Sequence, residues 1–566
     1  MPGGAAGAAL AALLLAAGPA DAVAQDICAG QPIRSIRIRT IEVFSAEDPG
    51  PAPAWVADLA HAVNWRTDIE PVRADLLFRE GDPCDAERLR ETERLLRERA
   101  NLRSATIAVV PTDDGAVDVE VTTRDDWTLA GSASVRWSAA RAVRRARLAD
   151  ANLFGSGALG RLRFDNTGRR SGLAADFYTP HGIGRAYIEG LAGWTSVGTT
   201  FALSLFRPFD AEVEHMGWHV GGRYLEEPFG LSDAGLGGIV QPLLRSDFDV
   251  SGAWLFGRPE GPRVEFGVSL AASRTATFGR ALAALPQDDS LAQALLDGRF
   301  AEVHRVSVSV IVGARTLHYQ KRSGIEAVHA VQDVALGIDT RVTIGRAVPV
   351  AGLRSDWFAL GELYAGAAVG RTLLFARARV EGLNATPAEA WTNLIAAGDA
   401  YAYVATGRRG TVVVGLEAAG GWRTTTPFQL TLGYPQGVRG FSGALPVGRR
   451  IVMQGEYRHY AGTLKHVADF GWAAFMDAGR GWAGNAPLAR DIGTLVSAGA
   501  GLRIAVPPGS QFVARLDAAV PVAGGHGMEL RLSLQQQFGI LHPEPSDVAR
   551  SRQPPATRPP FNTLSY

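Results

Sequence analysis

From Trp127 to Phe538, a span of about 410 residues, apolar side chains recur at every second position. The last run is the cleanest. Met528, Leu530, Leu532, Leu534 and Phe538 alternate with Glu529, Arg531, Ser533 and Gln535. Val306, Val308, Val310 and Val312 form another run, and Phe428, Leu430 and Leu432 a third. In a fourth, Phe512, Ala514, Leu516, Ala518 and Val520 alternate with Arg515 and Asp517. A period of two sends one set of side chains to one face of a strand and the other set to the opposite face. A closed antiparallel barrel in lipid needs this pattern, because its outside meets hydrocarbon, its inside meets water, and every backbone group pairs with a neighbouring strand. At about 25 residues per strand and connection, the span predicts an all-β transmembrane barrel of about 16 antiparallel strands over residues 127–538. The 66 Gly and 12 Trp, with Lys321 and Lys465 the sole lysines, suit short strands and tight turns. A secreted sandwich or propeller also alternates, but no repeat of about 40–50 residues marks propeller blades.

The first 24 residues read as a secretory signal. Ala8 to Ala17 is an apolar run, and Ala22-Val23-Ala24 is a cleavage site that leaves Gln25 first, although the start lacks Lys and Arg. The run is too short to span a bilayer as a helix. The chain is therefore expected to be exported. Asp26-Ile27 before Cys28 is a poor lipid-attachment context. Cys28 and Cys84 are the two cysteines. In an oxidising compartment a disulfide between them would tie the mature N-terminus to a helix start, though spacing alone leaves the pairing open. With no His nearby they make no metal site, and neither metal nor cofactor is expected. The formal net charge of zero argues against a nucleic-acid partner.

Residues 31–125 read as a small α+β domain of order β-α-α-β-β. Ile33, Ile36, Ile38, Ile41 and Val43 suggest an extended segment, Ala54–Ala62 and Asp68–Phe78 two short helical stretches. Asp85–Arg99 is the clearest helix, charged outside with Leu89, Leu95 and Leu96 inward. Ser104–Val110 and Ala116–Thr123 form a hairpin around Asp113-Asp114-Gly115. Residues 539–566, rich in Pro, Ser and Arg, read as a disordered tail.

The sharpest local signal is Gly437-Val438-Arg439-Gly440-Phe441, in a loop after Gly433-Tyr434-Pro435. An Arg set between Gly and an aromatic residue suits a side chain sent to find a carboxylate, and its planar fork binds one with two hydrogen bonds. Glu456 in Gln454-Gly455-Glu456-Tyr457-Arg458 and Asp477 in Phe475-Met476-Asp477-Ala478-Gly479 follow at hairpin distances. The alternative is an exposed loop Arg. Gly155 to Gly160 matches a dinucleotide-binding glycine pattern but lies at a barrel turn without a βαβ unit, and no nucleophile elbow, zinc helix or P-loop occurs. No enzyme is expected. Arg141, Arg144, Arg145 and Arg147 fit a solvated turn, with lipid phosphate contact as the alternative.

The 437–441 run resembles the loop signature of the outer-membrane assembly-factor superfamily, the BamA/TamA-like proteins and their two-partner-secretion relatives. Leu76-Leu77-Phe78-Arg79-Glu80-Gly81-Asp82 and the helix after it resemble a single POTRA domain. Asn152 to Gly157, Gly499 to Ile504 and Arg515 to Pro521 are similar to further turns and strands of the family. The resemblance implies an outer-membrane barrel with its POTRA domain in the periplasm. It implies that the loop folds into the lumen, where Arg439 meets Asp477 and Glu456. Partners would be outer-membrane lipids and unfolded periplasmic or secreted client proteins, the latter adding a strand to the POTRA sheet edge. The implied work is helping proteins insert into or cross the membrane, near a weak seam between the strand starting near Leu129 and the one from Met528 to Phe538. A pore for one dedicated secreted substrate, or a structural, lipid-contacting barrel, are the alternatives. Relatives end at a terminal aromatic; here Phe538 is followed by the tail.

Overall fold

The computed structural model describes residues 28–48, 52–138, 141–166, 169–233, 235–259, 261–349, 355–385, 390–433, 436–441, 445–525, 527–534 and 544–552. The signal segment and Phe538 lie outside them.

The N-terminal unit contains β1 (Ala29–Ile41), α1 (Ala54–Val63), α2 (Ile69–Ala74), β2 (Pro83–Asp85), α3 (Ala86–Glu98), β3 (Leu102–Pro111) and β4 (Val117–Asp125). Asp85 starts α3 by accepting the Glu87 N–H at 2.9 Å. Its inward stripe of Leu89 and Leu96 packs with Val72, Phe78, Val119 and Val121. The sheet order is β2-β1-β4-β3, with β1 parallel to β4. The three-residue β2 was not expected from the sequence. Cys28 and Cys84 are disulfide-bonded, with Cα atoms 5.3 Å apart, which staples the start of β1 to β2.

The rest of the chain closes into one antiparallel barrel, from Leu129–Ser138 round to Glu529–Ser533, and these two strands meet at the seam. Among the described residues twenty strands make the wall; Leu282–Ala283 and His318–Ser323 are short side arms on it. The expected count of about 16 was too low because many connections are shorter than the allowance made for them. Ser196-Val197 and Gly370-Arg371 are complete turns. Not every alternating run became wall. Phe428, Leu430 and Leu432 are buried in a long inward-folded loop, where Leu430–Thr431 pairs with Pro446–Val447. The alternation there serves a lumen core rather than a lipid face.

The wall is inverted relative to a soluble protein. On Arg263–Thr277, Val264, Phe266, Val268 and Leu270 point out and are exposed, while Arg263 and Glu265 point in and are buried. Leu530 and Leu532 of the last strand are 65% and 74% exposed. The interior is filled by ion pairs such as Arg341–Glu265 at 2.9 Å, Arg263–Glu212 at 2.8 Å and Arg377–Asp399 at 2.8 Å. An apolar outside around a charged inside is stable only when lipid surrounds it.

The N-terminal unit docks on the end where the first wall strand begins. Arg97 of α3 holds Asp333 through two bonds of 2.7 and 2.8 Å, Glu91 accepts the Glu212 N–H at 3.0 Å, and Arg94 stacks on Tyr319 at 4.1 Å. This corrects the reading of α3 as charged outside: Glu91, Arg94 and Arg97 are buried. Opposite charges and carbonyls on the barrel rim make burial of that face favourable, which periodicity within the helix cannot show.

Candidate functional site in the barrel lumen

The loop between the wall strands Gly410–Trp422 and Arg449–Leu464 leaves the barrel at the end opposite the N-terminal unit and folds back inside. Its tip carries Val438, Arg439, Gly440 and Phe441; Tyr434 and Pro435 lie outside the described residues. Gly437 has φ +100°, and a Cβ there would meet the Leu432 carbonyl at 2.1 Å, so the turn that aims Arg439 needs glycine.

Two adjacent wall strands supply the acceptors. Register places Gln454 opposite Asp477 and Glu456 opposite Phe475, so Glu456 and Asp477 are diagonal neighbours on the inner face. Arg439 Nε and Nη2 donate to the two Asp477 oxygens, both at 2.7 Å, and Nη1 donates to Glu456 at 2.8 Å. The Arg439 backbone N–H adds a bond to Asp477 at 3.2 Å. The guanidinium lies 3.5 Å from the centroid of the Phe475 ring. All three charged residues are buried. Val438 is buried against Gly479, where a Cβ would meet it at 2.5 Å. Phe441 and Val438 join an apolar cluster with Leu430, Leu432, Val447 and Val452.

The structure adds residues that the motif did not single out. Glu456 also accepts from Arg458 at 2.9 Å and Arg503 at 3.3 Å, and lies 3.6 Å from Arg515. Asp517 accepts from Arg503 at 2.5 Å and Arg515 at 3.1 Å. The network thus spans four successive wall strands, with cations and carboxylates interleaved. Its signal in sequence was parity: Arg503, Arg515 and Asp517 flank the outward Leu502 and Leu516 and must point inward. Gly440 N–H donates to Glu529 at 2.8 Å. The loop tip is therefore fastened to the last strand as well, where Met528, Leu530, Leu532 and Leu534 are the exposed set.

Glu544–Arg552 occupies the same lumen, with a short helix at Ser546–Ala549. Val548 is buried in the loop's apolar cluster, and Thr431 N–H donates to Asp547 at 3.0 Å. This corrects the disordered-tail reading for those residues; 539–543 and 553–566 lie outside the described residues. Composition could not anticipate that the lumen offers counter-charges.

The arrangement is a scaffold of fixed charges. It positions a loop, a tail and a seam.

No family profile and no curated protein matches the chain. Among solved structures it is similar to BamA from Haemophilus ducreyi lacking POTRA domains 1-3, at 11% identity and TM-score 0.34, covering 88% of this chain and 83% of that one. It is similar to CdiB from Escherichia coli at 14% identity and TM-score 0.42, covering 89% and 75%. CdiB from Acinetobacter baumannii gives 11% and 0.35, covering 89% and 72%. At these values the functional reading rests on the chain's own residues.

Proposed function

We propose that this protein is an outer-membrane barrel of the BamA/TamA-like assembly-factor superfamily that helps proteins insert into or cross the membrane, with its N-terminal unit as a single periplasmic POTRA domain. The observation that carries the reading is the buried Arg439–Asp477–Glu456 site, reached by a loop folded into the lumen. A passive pore gains nothing from a loop that fills its channel. A barrel that must hold a defined gate beside its seam does.

Opening the seam between the first wall strand and the last exposes unpaired edges on which a client strand can form, one of them on the last strand. Glu529 links that strand to the Arg439 loop, so opening the seam and moving the loop are mechanically connected. The outer edge of β3 has no sheet partner among the described residues and is the edge on which a periplasmic client segment would add. No covalent chemistry is involved. The work is lowering the barrier to insertion through strand templating and a disturbed bilayer.

Quantitative proteomics of outer-membrane and secreted fractions after depletion tests the reading. A joint fall of many barrel proteins is expected. Loss of one secreted protein alone would replace it with a dedicated exporter, and an unchanged profile would leave a structural barrel.

A further inference from the structure

Nothing in the assembly reading calls for chain beyond the last strand, yet Glu544–Arg552 sits among buried charged partners. Asp547 receives Thr431 N–H at 3.0 Å and both Arg450 Nη1, closely, and Nη2 at 3.2 Å. Arg450 is itself oriented by Glu417 at 2.7 Å and donates to the Thr431 carbonyl at 2.8 Å. Five residues on, Arg552 donates to Glu381 at 3.1 Å on a different stretch of wall. Between them Val548 enters the loop's apolar cluster, and Arg550 lies 4.7 Å over the Phe229 ring. Asp547, Val548 and Arg552 are each buried.

We infer that the lumen contains a peptide-binding site, filled in cis by Glu544–Arg552. Its ligand class is a short peptide with an acidic residue, an aliphatic residue next to it, and an arginine four positions further on. Two charges of opposite sign, each met by a fixed counter-charge on a separate strand, set direction and register, and the apolar pocket between them sets spacing. Surrounding wall alone would not need such matching; a charged segment passing through a wet lumen could stay solvated.

The tail is tethered, so its local concentration is high and occupancy in cis is the resting state. The same Thr431 that Asp547 caps belongs to the loop that presents Arg439, and Val438 and Val548 share one cluster. Occupancy therefore braces the loop in its inward position. A segment of a passing chain with the same acid–aliphatic–arginine pattern would compete for the site and free the loop. This goes beyond the assembly reading and does not depend on which client is served.

The test uses the purified full chain, a chain ending at Pro543, and a fluorescent peptide with the sequence of residues 544–552. Faster gel migration of the unheated barrel than of the heated chain reports that each protein is folded. The peptide is expected to bind the shortened barrel and to bind the full chain at least tenfold more weakly. Peptide carrying Asp547→Ala and Arg552→Ala should lose at least tenfold in affinity for the shortened barrel. Equal binding to both proteins, or equal binding of both peptides, overturns the inference. If the shortened chain fails to fold, full chain with Asp547→Ala and Arg552→Ala replaces it, and binding of the unaltered peptide is again expected. Hydrogen exchange on the unmodified protein is an independent arm. Backbone amides of Val548 to Arg552 should be protected, and exchange at the rate of a free peptide overturns the proposal.

Discussion

Arg439 is enclosed by groups that only make sense with its charge present. Removing it leaves Asp477 buried without its guanidinium partner, while Glu456 keeps Arg458 and Arg503, and breaking one side of a buried pair costs on the order of 3–5 kcal/mol. Arg439→Ala should therefore leave the barrel inserted but lower the temperature at which its compact gel mobility is lost. Asp477→Ala should lower it similarly, and the double variant should fall short of the sum; strict additivity would show that the two do not act together. Outside the membrane, burial pushes the carboxyls of Asp125 and Asp126, at the junction of the two units, up to about 6. A folded-state value raised above the usual carboxylate range, near about 4, means the native protein holds protons that the unfolded one releases between those pH values. Stability then falls as pH rises through that window and is flat above it. Proteolytic release of the N-terminal unit should be slower at pH 5 than at pH 7.5. Asp126→Asn, which keeps an acceptor for Ser510 and Gln511, should weaken that dependence. A profile that Asp126→Asn leaves unchanged would remove Asp126 as a source.

Elements in this chain draw stability from different sources. The N-terminal unit is small and is stapled across 56 residues of sequence by Cys28–Cys84. In the chain-entropy account a loop of that size contributes about 4 kcal/mol, so Cys28→Ser with Cys84→Ser should lower the urea midpoint of that unit by a corresponding amount, with Trp55 and Trp65 fluorescence as the readout. An unchanged midpoint would mean that docking on the barrel already supplies the restraint. Wall strands depend instead on lipid contact. Leu532 stands on the outer face of the last strand, so Leu532→Arg should reduce folding into vesicles, by about 2–4 kcal/mol if the position lies near the bilayer midplane. Glu529→Ala on the opposite face should leave insertion intact and loosen the Gly440 contact. Helix α3 shows how an element's role can invert. Its charged face is the docking face, because Asp333 and the backbone around Asp210 and Glu212 receive it.

The barrel carries an element docked towards each end. Helix α3 lies on the rim at one mouth, and the inward loop with Glu544–Arg552 lies within the lumen on the other side. The two rest on different strands, so they are separable. Arg97→Ala should raise ion conductance in planar bilayers by opening the near mouth without altering the Arg439 site. Conductance equal to that of the parent protein would show that α3 does not seal the opening.

Much of this was legible in the residues. A period of two over the long C-terminal part, with charge on one face, admits few folds, since strand geometry alone assigns the faces. The motif at 437–441 and the acidic residues after it carried the lumen site, because a buried guanidinium demands specific partners. The strand number was not legible, as it depends on turn lengths that alternation does not mark. Nor were the wider network through Arg503, Arg515 and Asp517, the burial of α3's charges, or the docked tail. Each of those is a contact between residues far apart in sequence, and its sign depends on which counter-charge the closed barrel brings within reach. Along the wall strands, alternation in the residues separates the outward apolar set from the inward charged set, although at Phe428, Leu430 and Leu432 the same pattern marks a lumen core. Which inward charges meet follows from the closed wall, because closure sets those distances and local pattern does not.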